Sequence, residues 1–480
     1  MSLATTDPAA DATGTEPSSS AVGSVGMPGT FRAEVTSLTV LALPLIGAQL
    51  AQISMNAVDT VMAGWLGPRD LAAVAIGGNI WIPIYVIGIG ILLAVTPSVA
   101  QLYGAGQREE IGPLVRQGLW LGAIVTAMVF VVVLLLIDPL LDLVQASADL
   151  HSLARGYVLS IALGTPGQAL FNVLRNYCEG LGRTGPSLWV SLTALPVNVA
   201  LNYVLMYGAF GLPRLGAIGC GIASALTMWF MAACLLLVVL SVDEFRRDEL
   251  FSRWDRPRFD AIARLFLVGG PIAVSFFVEC ALFCSVGLIL ARMGEQIVGG
   301  HQIALNVASI TFMVPLGVAL AVTIRVGQAI GAGDPRAARR TGLAGNLLSL
   351  SFMGCMAALM GIFPGPIARL YTGDAQVIET ASQLLFLAAV FQVFDGLQVS
   401  GAGALRGLKD TRVPMAITMI AYWVFALPVG YTLAFHAGWG PRGLWSGLIA
   451  GLCCASFLMN LRFYTKVAKL IRASEPETEP

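Results

Sequence analysis

Long, continuous apolar runs separated by short polar connections dominate the chain, and they are the first evidence of its fold. Twelve runs reach twenty residues or more, at about 37–64, 71–101, 113–137, 150–178, 187–208, 217–241, 263–291, 297–327, 338–362, 378–405, 413–435 and 443–467. At about 1.5 Å rise per residue, a stretch of roughly twenty apolar residues crosses the hydrocarbon core of a bilayer as a helix. The runs are continuous rather than alternating, and in lipid every backbone N–H and C=O must be paired within its own segment, so helices fit and a β-barrel does not. An all-α integral membrane protein with twelve transmembrane helices is expected.

Composition agrees. Hydrophobic residues make up 56% of the chain and charged residues only 12%, about half the share usual in soluble domains, so one globular core cannot hide this apolar surface. The formal net charge of zero conceals an asymmetry. With both termini cytoplasmic, 22 of the 28 Lys and Arg fall on the inner side, as the positive-inside rule requires. They include the link SVDEFRRDELFSRWDRPRFDAIARL and the tail residues Arg462, Lys466, Lys469 and Arg472. The basic loops are thus topology signals, and no nucleic-acid partner is expected.

Residues 1–30 are rich in Ala, Ser, Thr, Gly and Pro, and the first basic residue is Arg32. A basic start followed by an apolar core, the mark of a cleavable signal, is missing there, so this stretch reads as a disordered leader. The eight cysteines sit in or at the ends of apolar runs and give no pairing framework.

The second half of the chain repeats the first. At an offset of 227 residues QLYGAG (101–106) falls on QAIGAG (328–333), Pro44 on Pro271, Gly67 on Gly294, Asn79 on Asn306, Gly90 on Gly317 and Thr96 on Thr323. One register held over so many helices implies two six-helix lobes, and an even number of crossings between them makes the repeat parallel. The expected division is a disordered cytoplasmic leader over 1–33, a first lobe with helices 1–6 over 34–241, a basic cytoplasmic link over 242–262, a second lobe with helices 7–12 over 263–470, and a disordered tail over 471–480. Two such lobes suit a transporter that binds its substrate between them and rocks.

The same offset separates architecture from chemistry. Asp59 corresponds to Val286, Gln52 to Glu279 and Gln168 to Asp395, so each intramembrane carboxylate has an uncharged counterpart and the fold does not need it. A charge near the bilayer centre costs about 2.5–3.5 kcal/mol even on lenient scales, which points to a cavity, a bound cation or a proton. Asn198 and Asn202, four residues apart on one helix face, can donate to a carboxylate or accept from a cation. Pro44 shares a helix with Asp59 and breaks its hydrogen-bond ladder, a candidate hinge. Glu179 has Arg175 and Arg183 four residues to either side and reads as locally ion-paired. Asp248 and its acidic neighbours read as part of a solvated link. Aromatics such as Phe276, Phe277, Trp81 and Tyr85 are candidates for a cleft lining or for packing. The histidines show no metal-ligand spacing, and no acidic pair or triplet of the kind a membrane-embedded enzyme needs lies within the spans.

VDTVMAG, WIPIY and VTPSVAQLYGAG in the first lobe, with HQIALNVASITFMVPLGVALAVTIRVGQAIGAGD and GALRGLKDT in the second, resemble the multidrug and toxic compound extrusion family, in particular its NorM-type bacterial branch. The resemblance runs in order from about residue 35 to 465. It implies a V-shaped central cavity and a secondary active transporter of the inner membrane that exports cationic or amphipathic compounds in antiport with sodium ions or protons. By the same resemblance Asp59, Asn198 and Asn202 match a proton- and substrate-binding site. Glu279 and Asp395 match a cation-binding pair, and a sodium ion there is the one metal implied. Asn202 is an Asp in some relatives, so this first-lobe site has one charge fewer. No cofactor, no enzymatic activity and a monomer are expected. The alternative is export of another amphipathic metabolite or a lipid-linked substrate, whose cavity needs clustered cations where the intramembrane charges here are acidic.

Overall fold

The computed structural model describes residues 29–144, 147–252 and 255–474. Most of the expected leader, and positions 475–480 of the expected tail, lie outside the described residues. Among those described there are helices and no strands. We number the spans α1 (Phe31–Leu66), α2 (Pro68–Gly104), α3 (Arg108–Leu143), α4 (Ala148–Ala162 with Thr165–Gly180), α5 (Gly185–Tyr207) and α6 (Gly216–Ser241). The second lobe holds α7 (Phe259–Ala291), α8 (Glu295–Gly331), α9 (Pro335–Ile362), α10 (Ala375–Gly407), α11 (Arg412–His436) and α12 (Pro441–Ser474). Outward faces are apolar, with Leu135, Trp189 and Leu288 each more than two-thirds exposed, as a surface in contact with lipid requires.

Among the described residues α4 is a pair of helices bent by 41°, where the apolar pattern predicts one unbroken run. Pro166 lacks the N–H that would continue the ladder, and Gly164 lies directly on the backbone of Ala225 in α6. A second break, at Leu93–Ala94 in α2, has the same origin in Pro97. The carbonyl of Leu92, which loses its helical donor there, accepts instead from the Asn176 amide at 2.9 Å. In α11 two π-helical turns, Ile420–Ala426 and Thr432–His436, flank Pro428. α1 runs through Pro44 without interruption.

Helix ends also depart from the expected boundaries. α1 begins at Phe31, capped by the Thr30 hydroxyl; α7 begins at Phe259 inside the expected link; and α12 continues to Ser474. Polar ends of this kind extend a helix beyond its lipid-spanning core without leaving backbone groups unpaired. The link itself is not a loose solvated loop. Asp248 is buried and accepts from Arg108 at 2.7 Å and from the Tyr177 hydroxyl at 2.6 Å, while Arg116 pairs with Asp255 at 2.6 Å. Gln117 closes the attachment by donating to the Arg256 carbonyl and accepting from the Arg258 N–H.

The lobes meet along a seam in the half of the molecule that holds both chain ends. There the internal repeat becomes a physical two-fold. Gln101 donates to the Gly407 carbonyl at 2.8 Å, and its repeat mate Gln328 donates to the Gly180 carbonyl at 3.2 Å. Gly90 touches the Ala273 backbone as Gly317 touches Ile46, and Gly104 lies on the Gln328 carbonyl as Gly331 lies on that of Gln101. Among the described residues every hydrogen bond between lobes lies in this half, and beyond it the lobes diverge around a central cavity.

One tie breaks the symmetry. Arg325 of α8 forks onto Glu34 of α1 at 3.2 and 2.7 Å, and Thr341 of α9 donates to the same carboxylate at 2.7 Å. Both charges are buried. Breaking a buried pair by removing one partner typically costs about 3–5 kcal/mol, because the other charge is stranded. Glu34→Gln is therefore expected to lower the melting temperature and to lengthen distances between spin labels placed across the seam. Unchanged melting and distances would mean that the pair contributes nothing to holding the lobes together.

Candidate functional site

The intramembrane carboxylates fall into two separate places. Asp59 is buried inside the first lobe, between α1, α5 and α6. Its Oδ1 accepts from Asn202 at 2.6 Å and its Oδ2 from the Ser224 hydroxyl at 3.0 Å; the same Asn202 amide reaches Asn198 Oδ1 at 3.2 Å. The four-residue spacing of the two asparagines puts both on the face of α5 that packs against α1. Ser224, on α6, was not singled out by the sequence: a serine among GIASALTM carries no charge or periodic signal, and only packing places it here. Asn202 Oδ1 is enclosed and accepts no hydrogen bond from the described residues.

Glu279 and Asp395 instead line the central cavity, of about 680 Å³, between the lobes. α7 contributes Glu279 and α10 contributes Asp395. Gln52, the repeat mate of Glu279, faces the same space from α1. Neither carboxylate accepts a hydrogen bond from the described residues, and Asp395 feels the charge of Glu279. The Tyr422 hydroxyl of α11 is also enclosed without a partner and interacts electrostatically with both. Carboxylate and phenol oxygens are a hard donor set of the kind that suits a small cation. No cluster of three or more His, Cys, Asp or Glu side chains able to hold a metal occurs among the described residues.

The walls are mostly apolar. Tyr85 and Phe276 line the cavity, but Trp81 packs in the first-lobe core against Tyr85 and Phe277 is not part of the lining. His301 is buried and accepts from Trp445 Nε1 at 3.3 Å.

Glu179 and its two basic neighbours depart from expectation. Glu179 pairs with Arg175 at 2.6 Å, and Arg175 also donates to Gln49 at 2.9 Å, but Arg183 turns away to Glu244 at 2.7 Å. The 175–179 pair lies at the cavity rather than at a solvated helix end, because α4 ends within the seam. Arg406 likewise reaches the cavity from the end of α10. The intramembrane charges lining this space are thus mixed and not purely acidic. Counting positions from the helix end misplaced the 175–179 pair: α4, like α10, ends where the lobes meet, so its last turn faces the interior.

The MatE family model matches residues 44–204 and again 271–432, the two lobes in register with the internal repeat. The chain is 44% identical over 449 residues to "Multidrug resistance protein PmpM" of Pseudomonas aeruginosa, covering 93% of this chain and 94% of that one. It is 39% identical over 436 residues to "Probable multidrug resistance protein NorM" of Idiomarina loihiensis, covering 90% and 94%. In fold it is similar to the crystal structure of the Vibrio cholerae MATE transporter VcmN in the bent form, with a TM-score of 0.84 at 20% identity over 93% of this chain and 99% of that one. With two lobes, an internal repeat that coincides with the two matched segments, and relatives of nearly full length, the chain belongs to the MatE family, as a transporter of its NorM type.

Proposed function

We propose that the protein exports amphipathic cationic compounds from the cell in exchange for an inward-moving sodium ion or proton. The observation that carries this reading is the pair Glu279 and Asp395: two carboxylates without hydrogen-bond partners among the described residues, the second within reach of the first's charge, in an apolar cavity between the lobes. Such a pair is poorly stabilised when empty and gains from binding any cation, whether the coupling ion or the cationic head of a substrate. Apolar walls supply affinity for the rest of the molecule with little shape demand. Because the ion and the drug compete for the same charges, each weakens the other's binding, which is the linkage antiport requires.

The protein sits in a bacterial inner membrane with both termini in the cytoplasm, an orientation that the distribution of Lys and Arg supports. The closed seam then faces the cytoplasm and the cavity faces outward, the arrangement that releases drug and accepts the coupling ion. Asp59 serves as a proton site. Its network is drawn for the ionised carboxylate, with both oxygens accepting, yet the orphan Oδ1 of Asn202 can accept from a protonated Asp59 once the amide turns over. Pro44, on the same helix, lets α1 bend between the two states. The transporter acts as a monomer without a cofactor.

The test is ethidium efflux from proteoliposomes of the purified protein, driven separately by a sodium and by a proton gradient. Efflux that follows sodium assigns coupling to Glu279 and Asp395, and efflux that follows protons alone assigns it to Asp59. No efflux under either gradient overturns drug export and favours a different amphipathic substrate.

A further inference from the structure

Cys280 and Cys284 lie four residues apart on α7, and both line the central cavity. No other two of the eight cysteines keep this spacing, which stacks side chains on one helix face with Cβ atoms about 5–6 Å apart. The two thiols are close enough to share a hydrogen bond. Cys284 is exposed and Cys280 is partly buried, whereas Cys178 and Cys220 are shut inside the first lobe. The exchange of cations at Glu279 and Asp395 uses neither thiol.

The repeat shows that the fold does not require them. Their mates on α1 are Ile53 and Ala57, ordinary apolar residues that fill the same helix positions. What the cysteines add is soft, nucleophilic sulfur. Two sulfurs are too few for a structural zinc site, which takes four ligands, and no group of three or more His, Cys, Asp or Glu able to hold a metal occurs among the described residues. The pair suits a soft centre that is satisfied by two sulfurs. Cys280 follows Glu279 in the chain and interacts with its charge, so an occupant of the thiols stands beside that carboxylate.

We propose that Cys280 and Cys284 form a dithiol site that captures trivalent arsenicals, and that the captured group blocks exchange through the cavity. An arsenical with one organic group and one oxygen, R–As=O, condenses with both thiols. Two As–S bonds form, the As=O bond breaks, and the two thiol protons leave with the oxygen as one water. Arsenic stays trivalent, so the step needs no oxidant or reductant. Once one sulfur is attached the second bond closes within the same helix face, which raises affinity far above that of a single thiol. The block rests on the reading of the cavity as the site of exchange; the capture does not.

The test titrates phenylarsine oxide into the purified full-length protein in detergent and counts adducts by intact mass. The wild type is expected to gain one phenylarsine group per chain with loss of one water, and to give it up to an added small dithiol. In Cys280→Ser and in Cys284→Ser the apparent dissociation constant should rise about a hundredfold or more, because the intramolecular second bond is lost. Cys280→Ala and Cys284→Ala repeat the measurement should a serine variant not fold. A wild type that gains no adduct, or single variants that hold it with unchanged affinity, would overturn the proposal. In proteoliposomes the arsenical is expected to stop ethidium efflux by the wild type and to leave each single variant near its untreated rate. Undiminished efflux by a wild type that carries the adduct would overturn the block. The adduct is counted by mass, so its result is read independently of whether the protein exports ethidium.

Discussion

Gly104→Val is expected to stop transport almost completely while leaving the protein folded and in the membrane. The Cβ of any side chain at Gly104 would fall on the Gln328 carbonyl, which is helix backbone and cannot swing aside. Overpacking typically costs about 1–3 kcal/mol where side chains can shift, and rigid backbone on the far side pushes the cost to the upper end or beyond. At about 1.4 kcal/mol per tenfold, the closed seam should lose roughly ten- to a hundredfold or more in population. The lobes would then be held apart at the end that carries the termini. Gly331→Val, the repeat mate, should do the same through Gln101. Gly78→Val on the same helix as Gly104 meets nothing within 4 Å and should transport at near the parental rate. Distances between spin labels across the seam, together with efflux, check all three. A Gly104→Val protein with wild-type efflux would show that the seam need not close during the cycle.

The second large effect belongs to the carboxylate pair. Glu279→Gln together with Asp395→Asn keeps the shape of the cavity and removes both charges, so nothing is left there to hold a cation against the cost of leaving water. Each carboxylate that binds a cation in an apolar setting contributes an interaction of a few kcal/mol. Sodium-driven ethidium efflux by the double variant is accordingly expected to fall by about a hundredfold or more, with expression matched. The single variants are coupled through their shared ion and should not add. Because the same pair also holds the cationic head of the drug, ethidium efflux driven by protons should fall as well, although the Asp59 network is a separate place in the first lobe. Parental sodium-driven rates in the double variant would remove the second-lobe pair from the mechanism.

Most of the architecture was legible because lipid leaves few options. Continuous apolar runs located every span, and the 227-residue offset anticipated a symmetry that the structure realises in Gln101 with Gly407 and Gln328 with Gly180. The same offset singled out Asp59, Glu279 and Asp395 as dispensable to the fold. It could not tell that Asp59 lies inside one lobe while the other two face the space between lobes, since depth and direction depend on how the helices pack. Gln52 and Glu279 do share the cavity, and Gln168 does not line it although its mate Asp395 does.

What escaped the sequence was decided by tertiary contacts. Helix breaks at Gly164 and Leu93 need the neighbouring helices that press on or cap them. Ser224, Tyr422 and the Glu34–Arg325 tie have no local signature, because their partners lie in other helices. Asp248 looked like one charge in a soluble link, and only the approach of Arg108 and Tyr177 draws it inside. Arg406 carries no local signal of its place, because only packing shows that α10 ends at the seam.

In the proposed exchange one pair of carboxylates serves the coupling ion and the drug in turn. The most direct test is the dissociation constant of ethidium from the purified protein, measured with and without saturating sodium and across a range of pH. Sodium or protons are expected to weaken ethidium binding by about tenfold, a coupling of about 1.4 kcal/mol, and ethidium to weaken the ion's binding by the same factor. An ethidium affinity indifferent to both ions would contradict it.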